Sequence, residues 1–108
     1  MPLKAYVLMD LKSLEDKSEK IATILKAIAN EKRLAIVCIL SKGEKNVGDL
    51  EQMVGLSQSA LSQHLARLRR DEVLSTRREA QTIYYSIKDP SVVELLESLC
   101  EIFSQDAV

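Results

Sequence analysis

Residues Gly55 to Arg70 read GLSQSALSQHLARLRR. A glycine and a serine precede a run whose apolar residues recur at helical spacing, which places Ser57 as the N-cap of a helix and Gly55 in the turn before it. At about 100° per residue, Leu61, Leu65 and Leu68 fall in one narrow arc, while Ser59, Gln63, Arg67 and Arg70 gather opposite, with Ser62 beside them. A face that only solvates itself usually carries Glu and Lys pairs. Here, short uncharged groups such as Gln58, Ser59, Ser62 and Gln63 stand near the helix start, where they suit the donor and acceptor pattern of base edges. The arginines that follow suit phosphates. The competing reading is an ordinary amphipathic helix with an unspecific polar face, and the flanking segments weigh against it.

Upstream, Val47 to Val54 reads as a short helix. Asn46 is positioned to cap it, Asp49 follows three residues on in a capping-box pattern, and Gly55 supplies a left-handed residue at its end. Two short helices joined by Gly55-Leu56-Ser57 make a helix-turn-helix over 46–70, an arrangement whose second helix enters the major groove. Downstream, over 73–87, the period changes. Ile83, Tyr85 and Ile87 alternate with Thr82, Tyr84 and Ser86, and Leu74 to Arg78 supplies a partner strand, so a β-hairpin wing is expected. Its tip, Arg78-Glu79-Ala80-Gln81, lacks Gly, Asn and Asp and is a weak turn signal. Arg77 and Arg78 alternate in facing, so only one of them at a time is expected to meet a phosphate, with Gln81 as a further contact. A solvated, salt-bridged hairpin is the other reading of that pair.

The 108 residues make a single domain, with residues 1–10 as an N-terminal extension. The longest apolar run, Leu34 to Leu40, is too short to span a bilayer. Ala5 to Met9 is too brief for a signal peptide, so no membrane partner and a cytoplasmic location are expected. The formal net charge of −1 hides an uneven distribution. Between Arg67 and Arg78 lie five arginines and two acids, whereas Asp89 to Val108 holds five acids and no basic residue. Basic charge thus gathers on the candidate DNA face, and the acidic end is expected to point away from it. Neither a nucleophile with its base nor a phosphate loop nor a metal cluster is visible, so an enzyme and a bound cofactor are not expected.

Leu11 to Ala29 reads as a first helix, started by Ser13 and Asp16 and striped by Leu14, Ile21, Ile24, Leu25 and Ile28. Asn30 caps a second, Glu31 to Ser41, whose LAIVCIL run marks the central buried element. Lys32 and Arg33 occupy its first turn, the unfavourable end for cations, and only solvation accounts for them at this level. Asp89 and Pro90 open a last helix over 90–104, striped by Val92, Leu95, Leu96, Leu99, Ile102 and Phe103. The order is therefore ααααββα, a mainly α winged helix-turn-helix. Its terminal helices, 11–29 and 90–104, are left with apolar stripes, which are expected to make a homodimer through Leu14, Ile21, Leu25, Leu95, Leu99, Ile102 and Phe103. A two-fold dimer would present its recognition helices to half-sites about one helical turn apart, or a multiple of that. Alternatively, both helices complete a monomer core.

With this order in place, the chain resembles the ArsR/SmtB family of small dimeric winged-helix repressors from about Ile21 to Phe103. The resemblance is carried by LKAIANEKRLAIVCIL at Leu25 to Leu40, NVGDL at Asn46 to Leu50, GLSQSALSQHLARLRR, and STRREAQTIYYSI at Ser75 to Ile87. The wording of the recognition helix and wing is nearest the branch that contains HlyU, BigR and NolR. The resemblance implies a sequence-specific transcriptional regulator that binds an inverted-repeat operator in double-stranded DNA, and it makes His64 a backbone contact. A packed boundary histidine is the other reading of His64. Metal-sensing members carry a C-x-C pattern where this chain has Asn46, Val47 and Gly48, and a second family site uses Asp and His along the last helix. His64 is the only histidine here, so no metal is expected.

Cys38 and Cys100 remain. As a buried free thiol, Cys38 would be a small hydrophobe. In the HlyU/BigR branch, however, a cysteine at the position of Cys38 pairs with one near the end of the last helix, and oxidant or sulfur chemistry at the pair releases DNA. In this chain Ser104 stands at that second position and Cys100 lies one turn earlier, about 6 Å along the axis. Closure of the pair is therefore open, since a disulfide needs Cα atoms within roughly 7 Å. Two further readings compete with a redox-released regulator: a family DNA binder with no sensing, and a winged helix used for protein contact. Phosphate contacts make duplex affinity fall steeply with salt, which separates DNA binding from protein docking.

Overall fold

The computed structural model describes residues 3–104, with side-chain surroundings from Leu11 onward except at Leu14 and Asp16. The described elements are α1 (Leu3–Ile28), α2 (Glu31–Leu40), β1 (Lys45–Asn46), α3 (Val47–Val54), α4 (Gln58–Arg70), β2 (Leu74–Glu79), β3 (Thr82–Ile87) and α5 (Pro90–Ser104). The winged helix-turn-helix expected from the sequence is the fold observed, with two differences. α1 begins at Leu3, not Leu11, so most of the expected N-terminal extension is helical and Ser13 is internal to the helix. Leu3 to Asp10 contains no Gly or Pro that would stop a helix growing backwards from Ser13. The second difference is β1, which pairs antiparallel with β3 and makes a three-stranded sheet in the order β1-β3-β2. Its brevity left no alternation to read.

The caps fall where the side chains dictate. Asn30 accepts from the backbone N–H groups of Lys32 and Arg33 at 3.0 Å each, Asn46 from Asp49 at 2.8 Å, and Ser57 from Ala60 at 3.1 Å. Each bond satisfies a donor that the first helical turn leaves unpaired. Gly55 takes φ 71°, the left-handed conformation that closes α3 and lets the chain reverse into α4. Asp89 caps α5 by accepting from Ser91 at 2.9 Å. In the wing, β2 and β3 pair from Leu74↔Ile87 to Glu79↔Thr82, which leaves a tight turn at Ala80 and Gln81. Ala80 adopts φ 56° there, so pairing of the strands imposes a conformation that its side chain does not favour.

The core joins all the major elements. Ile36, Val37 and Leu40 of α2 pack with Ala27 and Ile28 of α1, Leu50 of α3, Leu61, Leu65 and Leu68 of α4, Val73 and Leu74 at the base of the wing, and Val92 and Leu96 of α5. The three leucines of α4 lie between 0% and 2% exposed. Burial of each contributes about 1.5–3 kcal/mol, which fixes the rotation of α4 and turns Gln63 outward. Arg33 also acquires a role. Its Nε donates at 2.6 Å to the Ala27 carbonyl, one of the unpaired acceptors that end α1. That bond offsets the unfavourable position of Arg33 at the start of α2.

Candidate nucleic-acid interface

Ser57, Gln58, Ser59, Ser62 and Gln63 are all exposed on the first turns of α4. Gln58, Ser59, Ser62 and Gln63 make no side-chain hydrogen bond to another described residue, so their donors and acceptors are available to a ligand. The face continues into charge. Arg67 Nε donates to Asp71 Oδ2 at 2.8 Å, and Arg70 Nε lies 3.5 Å from Asp71 Oδ1. One carboxylate thus pairs with two guanidinium groups through their Nε atoms, and their Nη donors make no hydrogen bond among the described residues. The neighbouring guanidinium groups hold the Asp71 carboxyl below its ordinary range, with the Arg67 hydrogen bond the largest cause. Its charge therefore persists well below neutral pH.

Between α4 and the wing runs a cleft lined by Val47, Ser62, Leu65, Ala66, Arg69, Arg70 and Tyr85. It continues toward the wing tip past Gln58, Gln81, Thr82 and Ile83. Arg69 and Ala66 were not singled out from the sequence. Their signal was the spacing of four and seven residues after Ser62, which brings Ser62, Ala66 and Arg69 to one side of a helix. Arg69 is exposed and makes no ion pair among the described residues.

The two wing arginines separate sharply. Arg77 Nε and Nη2 donate to Glu44 Oε2 and Oε1 at 2.8 and 2.7 Å, Nη1 donates to Glu79 Oε2 at 2.8 Å, and the guanidinium lies 4.4 Å from the Tyr84 ring centre. Its pKa is raised by these carboxylates, Glu44 foremost. Arg78 is exposed and has no such partner among the described residues. Gln81 is exposed in the turn. His64 is half-buried, with Arg33 Nη1 donating at 3.5 Å to its Nδ1, so its ring is held inside the protein on at least one side.

On the terminal helices, Ile21, Leu25, Ile102 and Phe103 are 37%, 46%, 59% and 69% exposed. Leu95 and Leu99 are half-buried, and the Leu14 side chain lies outside the described residues. The terminal helices therefore divide their stripes: Ala27, Ile28, Val92 and Leu96 are buried in the core, Ile24 and Leu95 pack against its edge, and Ile21, Leu25, Ile102 and Phe103 form an exposed apolar face. The two cysteines lie on different helices. Cys38 on α2 is partly buried, Cys100 on α5 is exposed, and neither is in a disulfide. Burial pushes the Cys38 thiol up, neighbouring Cys100 pushes it further, and Lys42 partly opposes them. Cys100, one turn before Ser104, is thus near enough to Cys38 to influence its ionisation.

No described helix is long and apolar enough to cross a membrane. Residues 30–76 match the family described as "Bacterial regulatory protein, arsR family". Over 105 residues the chain is 46% identical to the transcriptional activator HlyU of Vibrio cholerae, covering 97% of each protein. It is 50% identical over 91 residues to the nodulation protein NolR of Rhizobium meliloti, covering 84% of this chain and 75% of that one. Among solved structures, HlyU from Vibrio cholerae superposes with a TM-score of 0.78 at 48% identity, covering 82% of this chain and 97% of the other.

Proposed function

The chain belongs to the ArsR family of bacterial regulatory proteins, and from that membership we propose that it acts in the cytoplasm as a homodimer on an inverted-repeat operator. The family is one of transcriptional regulators, not enzymes. In this reading α4 enters the major groove, Gln58, Ser59, Ser62 and Gln63 meet base edges, and Ser57, Arg67, Arg69 and Arg70 meet phosphates. Arg78 and Gln81 extend the contact along the flanking backbone, and His64 supports the helix from behind. The observation that carries the reading is the uncommitted polar face of α4, set outward by its buried leucines. The test is selection of bound fragments from genomic DNA, followed by titration of the selected duplex at several salt concentrations. A steep loss of affinity with salt is expected; no duplex binding would leave the protein-contact reading standing instead.

Gln63→Ala is expected to cost about 1–3 kcal/mol on the selected operator and far less on random duplex, because a glutamine that pairs with a base edge discriminates between sequences. Fluorescence anisotropy on both duplexes measures it. Equal losses on the two would take Gln63 out of base readout.

The thiol pair supports release by oxidation. The exposed Cys100 thiolate attacks a peroxide, taking one oxygen and releasing the other as water, and the Cys38 thiol then attacks the resulting sulfenic sulfur. A disulfide forms and a second water leaves, so two thiols and one peroxide yield one disulfide and two waters. A bond between α2 and α5 would pull the packed base of the helix-turn-helix against the terminal helices. Peroxide or polysulfide is expected to weaken operator binding by about 5- to 150-fold, the usual range of coupling between sites. Mass spectrometry should locate a bridge or modification at Cys38, and Cys38→Ser should abolish the response. Equal release from the Cys38→Ser protein would reduce both thiols to packing.

A further inference from the structure

We infer that Arg77 is a positioning residue: a strap across the rear of the sheet that aims the wing, acting on DNA only through Arg78 and the wing tip. The inference rests on the DNA-binding reading above. It starts from register. Arg77 of β2 stands opposite Tyr84 of β3, which in turn stands opposite Asn46 of β1, so these positions share one face of the sheet. Arg78 stands opposite Ile83 on the other face, and Ile83 and Tyr85 line the cleft toward α4. Arg77 therefore points away from the recognition helix and Arg78 lies on its side.

On the rear face the Arg77 guanidinium reaches from β2 over β3 to the residue that precedes β1. It passes over the Tyr84 ring at 4.4 Å and closes a paired bond with Glu44, two residues before Asn46, while Glu79 takes the remaining Nη1 on its own strand. A fork matched to a carboxylate in this way restrains direction as well as distance. The strap ties β2, the edge strand of the hairpin, to the segment that leads into α3. Without it, the hairpin is held to β1 by only the two register pairs Lys45↔Tyr85 and Asn46↔Tyr84. Both oxygens of Glu44 are occupied, and three nitrogens of Arg77 are engaged. Two of its five N–H donors, one on each Nη, are left over, and a phosphate that met them would share the guanidinium with two carboxylates.

Two opposite signs test the role. A strap requires Glu44, so Glu44→Gln, Arg77→Ala and Arg77→Lys should each weaken binding to the selected operator, by about two- to fivefold as for a well-aligned exposed pair. Glu44→Gln combined with Arg77→Ala should do no more than either alone, because one interaction is lost in each case. The slope of log affinity against log salt should stay that of the unsubstituted chain for Arg77→Ala, and shrink by about 0.9 for Arg78→Ala. Amide exchange in Thr76 to Tyr85 of the free protein should quicken in the Glu44 and Arg77 variants alike. A phosphate contact at Arg77 would give the reverse: tighter binding by Glu44→Gln, whose carboxylate competes with DNA, and a shallower salt slope for Arg77→Ala. Either of those results overturns the strap, as does quickened exchange with unchanged affinity. Failure of the unsubstituted chain to bind any duplex is a different result, and it removes the DNA-binding reading itself.

Discussion

Phe103→Glu is expected to convert a dimer into folded monomers and to lower operator affinity by about 10²–10⁴-fold, the gain that linking two half-site contacts ordinarily provides. In the single chain Phe103 is 69% exposed and Ile102 beside it 59%. A carboxylate there costs the isolated fold little. In an interface formed by this face against its symmetry mate, two unpaired carboxylates would be buried near the axis, and burial of an uncompensated charge is severely unfavourable. The face has the character such an interface needs, since exposed apolar side chains that are contiguous mark association sites. Ile21, Leu25 and Leu95 border a shallow apolar depression between α1 and α5, and Ile102 and Phe103 extend the stripe to the end of α5. Sedimentation equilibrium gives the mass, circular dichroism the fold, and anisotropy the affinity. A dimer of unchanged mass and normal operator affinity would refute this interface.

Leu68→Ala should destabilise the domain by about 2–5 kcal/mol, since the loss combines the transfer free energy of the removed atoms with a cavity that the neighbours fill only in part. Leu68 is 0% exposed at the point where α4 packs on the centre of the core. Total stability of small domains is about 5–15 kcal/mol, so this one truncation removes a large share. Urea unfolding checks it: the midpoint should fall while the slope stays the same. Operator binding should fall in proportion to the unfolded fraction and recover with stabilising solutes, unlike that of Gln63→Ala, which should leave the midpoint in place. A cost below about 1 kcal/mol, the level of ordinary surface changes and well-tolerated swaps, would mean that α4 is not anchored by this arc.

The recognition helix was legible because everything that defines it is close in sequence. Ser57 caps Ala60 three residues on, Gly55 reverses the chain beside it, and the leucine arc repeats within one helix. The wing strands were legible from their alternation, but their tip was not, because Ala80 takes a left-handed conformation without being Gly, Asn or Asp. Strand pairing on both sides outweighs the local preference there. β1 escaped notice for a related reason: Lys45 and Asn46 are a strand only because β3 offers them a free edge. At the candidate site, helical phase places Arg67 and Arg70 on the polar face, whereas Arg69 enters the cleft only through the packing of α4 beside the wing.

Periodicity and capping act between residues a few positions apart, where backbone geometry sets the distance, and so the chain itself determined its helices, its hairpin and the outward face of α4. The duties of single charged and polar side chains were decided by packing. Arg77 meets Glu44 across 33 positions, Arg33 meets His64 across 31, and Cys100 on α5 acts on the ionisation of Cys38 on α2. Those distances are set by how α1, α2, α5 and the sheet lie around the common core, and no local pattern encodes them. Two adjacent arginines with the same chemistry thus stand in different surroundings: the pleat turns Arg77 to the face where Glu44 holds it and leaves Arg78 exposed on the other.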